Sequence, residues 1–133
     1  MNFEKFKEFV TNRYNFGDLP GANAKGMVTN ASCGDMTMLY FKVDDETELI
    51  EDARYFTFGC GFSQAMGVVI TELCKGKTIS EAELITERHI DAVLDGIPEA
   101  KRNYLSLIHG LLQDTIRDYR EKKGKEAAPV GAG

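Results

Sequence analysis

Two cysteines are the residues best placed to do chemistry in this chain. Cys33 opens the run Cys-Gly-Asp, which puts the carboxylate of Asp35 two residues away, and Cys60 stands between two glycines. Glycine lets a backbone approach a bound group closely. Thiolates are soft ligands that select zinc, copper(I) or iron–sulfur species over magnesium or calcium. The two motifs therefore predict a metal site with Cys33, Asp35 and Cys60 as its ligands.

A predicted hairpin would bring the two cysteines together. Residues 44–48 form a polar, mostly acidic turn, and the segments on both sides are rich in aromatic and β-branched residues, which is typical of paired antiparallel strands. A turn centred near residue 46 would place Cys33 opposite Cys60. Neighbouring strands lie roughly 5 Å apart, so both thiolates could bind one metal. A bulge could shift the pairing by one residue without separating them.

The apolar period becomes helical after Cys60, which places this cysteine at the start of a helix. There the helix dipole and the free N–H groups favour the thiolate. Cys74 lies at the far end of the same predicted helix, roughly 21 Å away at about 1.5 Å per residue. We therefore expect Cys74 to pack in the core or on the surface and to take no part in the site.

The remaining pattern predicts an α+β fold in which helices pack against one face of a sheet. Apolar spacing predicts a helix over residues 2–12, and a short first strand is expected over Met27–Asn30. Further helices are predicted to begin at a capping box starting with Ser80, at Thr86 and at Pro98.

The chain is expected to form one domain over residues 1–120, followed by a tail. The last predicted helix carries an apolar stripe that ends at Tyr119. Residues 121–133 show no apolar periodicity, and we expect them to be disordered.

Bulk composition excludes several classes of function. The net charge of −5 over 133 residues argues against a nucleic-acid-binding surface, which is usually basic. No apolar run approaches the roughly 18 residues that span a membrane. The first ten residues lack the pattern of a signal peptide, so we expect a cytoplasmic protein. An odd number of cysteines, three, suggests metal or thiol chemistry in a reducing compartment.

Several segments resemble the IscU/NifU amino-terminal family of iron–sulfur cluster scaffolds. They are ASCGD, the strand pair around VDDETELIEDARYFTFGCG, the run ELCKGKT, and NRYNFG, which is similar to the segment before that family's first strand. The resemblance covers about Asn12 to Tyr119. It implies a small three-stranded antiparallel sheet packed against several helices. It also implies that Cys33, Asp35 and Cys60 hold an iron–sulfur cluster, expected to be of the [2Fe–2S] type, or zinc.

The chain departs from that family at the start of the last helix. The family's third ligand is a cysteine, usually preceded by histidine, and here Asn103 and Tyr104 hold those positions. Tyr104 is expected to line the site, either as an aromatic lid, which we favour, or as a phenolate ligand of iron. The chaperone-docking segment, typically Leu-Pro-Pro-Val-Lys, is changed as well, which argues against chaperone docking. In this chain it consists of Ile97, Pro98, Glu99, Ala100 and Lys101.

The leading hypothesis is a scaffold that is not an enzyme. It would bind a metal or cluster, receive sulfur from a cysteine desulfurase and deliver its cargo to acceptor apoproteins, as the resemblance implies. A second protomer in a homodimer, or another partner, could supply the absent thiolate. The alternative is a paralogue that assembles no cluster, binds zinc or no metal, and acts as a regulatory or interaction module. A weaker hypothesis is a redox switch that uses a Cys33–Cys60 disulfide.

Overall fold

The computed structural model describes residues 1–31 and 34–127. Three strands, Ala24–Asn30 (β1), Asp35–Val43 (β2) and Ile50–Phe58 (β3), form one antiparallel sheet in the order β1-β2-β3. The predicted α+β class and the three-stranded antiparallel sheet are confirmed.

Five helices accompany the sheet in the described part of the chain. Helices α2 and α5 pack on one sheet face, where α2 contacts β3 and α5 contacts β1. Every second side chain of the central strand β2 points to this face and is buried, as the period of two in a strand requires. The helices are α1 (Phe3–Asn12), α2 (Gly61–Cys74), α3 (Ile79–Glu83), α4 (Glu87–Val93) and α5 (Asn103–Ala127), with a 3-10 turn at Glu99–Lys101.

A glycine lets α2 approach the sheet closely. Gly67 lies against the ring of Tyr55, a fully buried residue of β3, and a Cβ atom at this position would overlap that ring. The absence of a side chain at Gly67 therefore allows α2 to pack closely against β3, the strand that precedes Cys60.

The β2–β3 hairpin has nearly the predicted register. Pairing runs regularly from Met36 opposite Phe58 to Lys42 opposite Asp52, and an irregularity follows at Val43. If this register continued beyond the strands, Cys60 would face residue 34, one position from the prediction. That shift is the size that a bulge produces. Cys33 itself lies outside the described residues, so its pairing with Cys60 stays a prediction.

Two predicted helix starts differ from the structure. The capping box before α3 is formed by Thr78 and Glu81, not by Ser80, because Thr78 has the extended backbone of an N-cap and accepts the Glu81 N–H. Pro98 precedes the 3-10 turn, and the last helix begins only at Asn103.

The first strand is also longer than predicted. It begins at Ala24 and not at Met27. The backbone N–H of Lys25 donates a hydrogen bond to the carboxylate of Asp118 on α5, at 2.9 Å, which ties this part of β1 to the helix. The predicted caps at Thr86 and the helix over residues 2–12 agree with α4 and α1.

The last helix continues past the predicted domain boundary at residue 120. Lys123 donates to the Asp45 carbonyl at 2.9 Å and to the Glu48 carboxylate at 2.8 Å, which ties the end of α5 to the β2–β3 turn. The ordered helix therefore takes in part of the expected tail, and residues 128–133 lie outside the described residues. Within the described ranges, no helix has the length and apolar character needed to cross a membrane.

Candidate functional site

Asp35 and Cys60 meet at one end of the sheet. Asp35 is the first residue of β2, and Cys60 follows β3 as the N-cap of α2. The Cys60 Sγ atom lies 3.9 Å from Oδ2 of Asp35. The cysteine is exposed, whereas Asp35 is only 8% exposed. The hairpin and the strand-to-helix junction thus place a reachable thiol beside a shielded carboxylate.

Two hydroxyl groups converge on the same carboxylate oxygen. Tyr104 donates to Oδ2 of Asp35 at 2.5 Å, and Ser63 donates to it at 2.7 Å. The Tyr104 hydroxyl is also 3.8 Å from Cys60 Sγ. The Tyr104 hydroxyl therefore lies beside both Asp35 and Cys60, and its correspondence to the family's third cysteine stays a prediction.

The ring of Tyr104 is packed in place. It is 4% exposed and lies edge-on to Phe62, with ring centroids 5.0 Å apart. The Lys101 ammonium lies 5.9 Å from the centre of the Tyr104 ring. This packing agrees with an aromatic lid over the end of the sheet. Asn103, which the sequence predicts to hold the family's histidine position, is exposed at the first position of α5.

The hydrogen bonds keep Asp35 ionised and Tyr104 neutral. The Tyr104 hydroxyl, with help from Ser63, holds the pKa of Asp35 below its ordinary value despite burial. Burial, and then the bond to Asp35, raises the pKa of Tyr104 far above that of a free phenol. The pair is therefore a phenol donating to a carboxylate at neutral pH.

The thiol of Cys60 is shifted toward its thiolate. Partial burial acts to raise its pKa, but the backbone N–H groups of Ser63 and Phe62 and the hydroxyls of Tyr104 and Ser63 outweigh burial, so the pKa is lowered. These amides belong to the first turn of α2, where N–H groups have no partner within the helix. The thiolate is the form of cysteine that binds metals.

Gly59 makes room for the carboxylate. A Cβ atom on Gly59 would lie 2.9 Å from Cγ of Asp35 and 2.8 Å from the hydroxyl oxygen of Ser63. Any larger residue would push Asp35 or Ser63 aside. The absence of a side chain at Gly59 thus leaves room for the Asp35 carboxylate, which the position of this glycine beside Cys60 in the sequence did not indicate.

The distance between the two described candidate ligands suits a shared metal. With bonds of about 2.3 Å to sulfur and about 2.1 Å to oxygen, two ligands of a tetrahedral ion stand about 3.6 Å apart, close to the observed 3.9 Å. No group of three His, Cys, Asp or Glu side chains able to hold a metal occurs among the described residues. Cys33 is outside that set, two residues before Asp35 in the chain.

Cys74 lies away from this chemistry, as predicted. It is the last residue of α2, it is fully buried, and burial raises the pKa of its thiol to about 12. A neutral, enclosed thiol is a poor ligand. Cys74 is a residue of the hydrophobic core.

Residues 97–101, predicted to correspond to the family's chaperone-docking segment, lead into α5. Ile97 is buried, and its N–H donates to the Asp91 carboxylate at 2.7 Å. Glu99 and Ala100 are exposed in the 3-10 turn, and Lys101 lies over the Tyr104 ring. The segment therefore leads directly to the site.

Sequence reasoning missed Ser63. The residue is 1% exposed, and its hydroxyl is one of the two close donors to Asp35. The signal was its place three residues after Cys60, which a helical first turn brings back toward the N-cap.

The whole domain matches a known family. A family model described as the NifU-like N terminal domain matches residues 2–126. The chain belongs to this family. Members similar to it include the iron-sulfur cluster assembly scaffold protein IscU of Aquifex aeolicus, 38% identical over 122 residues, which cover 92% of this chain and 78% of that protein. IscU of Haemophilus influenzae is 36% identical over 91% of this chain and 97% of its own.

Longer proteins and solved structures of the family are similar too. The nitrogen fixation protein NifU of Azotobacter chroococcum is 40% identical over 117 residues, which are 88% of this chain but 38% of that protein. A NifU-like amino-terminal structure from Brucella abortus covers 90% of this chain and 94% of its own, with a TM-score of 0.67 and 22% identity. At that identity the structural likeness supports the fold alone.

Proposed function

We propose that this chain is an iron–sulfur cluster assembly scaffold that carries its cargo at Cys33, Asp35 and Cys60. The observation that carries the proposal is the approach of Cys60 Sγ to Asp35 Oδ2, 3.9 Å, at an end of the sheet where the thiol is exposed. Membership of the family and the scaffold relatives support it. In this proposal the cluster is a cargo that the scaffold assembles and passes on to another protein. The chain therefore acts as a carrier and not as an enzyme.

The three residues have different parts in this proposal. Cys60 supplies a thiolate that its backbone environment favours, and Cys33 supplies the second. Asp35 supplies an oxygen, which iron and zinc bind less firmly than thiolate in a soft site. A cargo held by two strong ligands and one weaker one is easier to release, which is what a carrier requires. The expected cargo is a [2Fe–2S] cluster.

Its partners follow from the same role. A cysteine desulfurase would deliver sulfur, and acceptor apoproteins would take the finished cluster. Phe58, at the end of the strand that leads to Cys60, is 64% exposed and offers such a protein an apolar contact beside the site. A second copy of the chain in a homodimer could complete the ligand set. The expected cytoplasmic location stays a prediction.

One observation favours the alternative, a module that binds zinc or no metal. The residue at the family's third cysteine position is a buried, neutral tyrosine whose hydroxyl is engaged with Asp35. A site one thiolate short could retain an exchangeable zinc ion without supporting cluster assembly.

Anaerobic reconstitution with ferrous iron and sulfide tests the proposal. After desalting, the scaffold should show visible sulfur-to-iron charge-transfer bands with iron and sulfide in equal amounts. Cys33→Ala and Cys60→Ala should abolish the bands, and Asp35→Ala should leave a cluster that is lost faster.

Cys74→Ala is the matched control, because this thiol is buried at the opposite end of α2 from Cys60. It should retain the bands of the parent protein. Stoichiometric zinc without bands would support the alternative module. Equal losses from all three cysteine substitutions would contradict the proposed ligand set.

A further inference from the structure

The carboxylate oxygen that faces Cys60 is already occupied. Oδ2 of Asp35, 3.9 Å from Cys60 Sγ, accepts hydrogen bonds from Tyr104 and Ser63. A carboxylate has about four lone-pair sites on its two oxygens, about two on each. Both sites of Oδ2 are therefore filled by protein hydroxyls.

The Tyr104 hydroxyl is held against Asp35 more firmly than a surface group would be. Tyr104 and Asp35 are 4% and 8% exposed, so water competes little for either group. Hydrogen bonds to an ionised acceptor are roughly twice as strong as neutral ones. The Tyr104 ring rests on Phe62, in the first turn of the helix that Cys60 caps. Helix α2 therefore helps to position both the Tyr104 ring and the Cys60 thiol.

We propose that Tyr104 is a latch on Asp35: its hydroxyl competes with the metal of the cargo for Oδ2 and so weakens the hold of the site. This inference rests on the proposed function, in which Asp35 and Cys60 bind the cargo. Tyr104 acts through Asp35 and is a positioning residue. When cargo leaves, the hydroxyl returns to Oδ2, so that release exchanges one interaction of the carboxylate for another.

Tyr104 and Ser63 reach the Asp35 carboxylate from two different helices. Ser63 belongs to the first turn of α2, next to Cys60, whereas Tyr104 comes from the start of α5, and their two hydroxyl oxygens lie 3.4 Å apart. The Tyr104 hydroxyl is nearer to Cys60 Sγ, at 3.8 Å, than the Ser63 hydroxyl, at 4.0 Å. Both hydroxyls therefore border the space between Cys60 Sγ and Asp35 Oδ2, and Tyr104 makes the shorter hydrogen bond to Oδ2, 2.5 Å against 2.7 Å.

Cobalt(II) is a suitable probe, because thiolate ligation gives it visible absorption and its binding can be titrated without cluster assembly. Tyr104→Phe removes the hydroxyl and keeps the ring. We expect the variant to bind cobalt about tenfold more tightly, because cobalt no longer has to break the hydrogen bond from the Tyr104 hydroxyl to the charged Asp35 carboxylate. The rate at which a chelator removes cobalt should fall by a similar factor.

Tyr119→Phe is the matched control. Tyr119 is another buried tyrosine of α5, 1% exposed, and its hydroxyl donates to Asp45 at 3.0 Å near the β2–β3 turn. Its substitution should leave cobalt affinity unchanged. Circular dichroism of each variant verifies that the fold is retained.

A double-mutant cycle shows whether the hydroxyl acts through the carboxylate. In an Asp35→Ala background, Tyr104→Phe should give no gain in affinity. Two outcomes would overturn the latch while leaving the proposed function intact. One is a gain in cobalt affinity from Tyr104→Phe that persists in the Asp35→Ala background. The other is cobalt affinity that Tyr104→Phe alone leaves unchanged or lowers. Cobalt binding by neither the parent nor Tyr104→Phe would contradict both.

Discussion

Replacing Tyr104 with cysteine should restore the family's third thiolate. The Tyr104 side chain points at the site, with its hydroxyl 3.8 Å from Cys60 Sγ and 2.5 Å from Asp35, and the family resemblance implies a ligand cysteine at this position. In Tyr104→Cys, a soft charged ligand would join Cys33, Cys60 and Asp35. We expect clearly greater retention of iron and sulfide after desalting, because a four-coordinate ion would then have a full set of protein ligands.

The same change should cost stability in the empty protein. Truncating a buried aromatic residue costs about 3–5 kcal/mol, and Tyr104 is 4% exposed. The lost hydrogen bond to Asp35 adds to this, while the cysteine side chain fills part of the space. A net loss of about 4 kcal/mol follows, which lowers Tm by about 14 °C for a domain of this size.

The assay compares Tyr104→Cys with Tyr104→Ala. Both variants remove the ring and the hydroxyl, so a difference in retention between them measures the thiolate alone. Iron and sulfide are counted after desalting, and apo-protein melting is followed by circular dichroism. If the cysteine variant melts cooperatively yet retains no more iron than the alanine variant, position 104 cannot join the ligand set, and the reasoning is refuted.

Two further predictions concern the fold. Gly67→Ala should destabilise the protein by roughly 1–3 kcal/mol, because the new methyl group would overlap the Tyr55 ring. Gly110→Ala, in open space on α5, should instead stabilise the protein by roughly 0.5–1 kcal/mol. Thermal unfolding of both variants compares the two sites, and equal losses of stability would contradict the packing argument. The backbone N–H groups of Thr47 and Glu46 hold the pKa of Asp44 below its ordinary value, so the stability that its charge provides is present above about pH 4 and is lost as the pH falls through the lowered pKa. Asp44→Asn should therefore differ from the parent in Tm at pH 6 and approach it at pH 2, and a constant difference would show that the charge is not responsible.

The meeting of Asp35 and the Cys60 end of the hairpin could be predicted from the sequence. Alternation in β2 and β3 and the acidic turn between them specify an antiparallel pair, and a pair of known register brings distant residues to one end. The one-residue difference in register arises at the irregularity near Val43, which the alternation pattern alone does not locate.

The donors to Asp35 could be predicted only in part. Tyr104 was expected near the site because of the family resemblance, but its bond to Asp35 depends on how α5 packs on β1, and no local pattern encodes that packing. Ser63 reads as an ordinary helical residue until α2 is placed against the sheet. Side-chain contacts between elements far apart in sequence are decided by tertiary packing.

The end of α5 shows the same limitation. Residues beyond Tyr119 lack an apolar stripe, so periodicity predicted disorder. The helix continues to Ala127, with Lys123 bonded to Glu48 and Arg120 paired with Glu83. Charged contacts with a turn and a neighbouring helix leave no periodic trace in the sequence.

Cluster transfer to an apo-ferredoxin tests the central claim most directly. The reconstituted chain is mixed with a [2Fe–2S] apo-ferredoxin in the presence of an iron chelator, and formation of the holo-ferredoxin is followed by circular dichroism. The scaffold should deliver its cluster despite the chelator, and Cys60→Ala should deliver none. Holo-ferredoxin formation that the chelator abolishes, as it does for free iron and sulfide, would contradict a scaffold that holds and hands on its cargo.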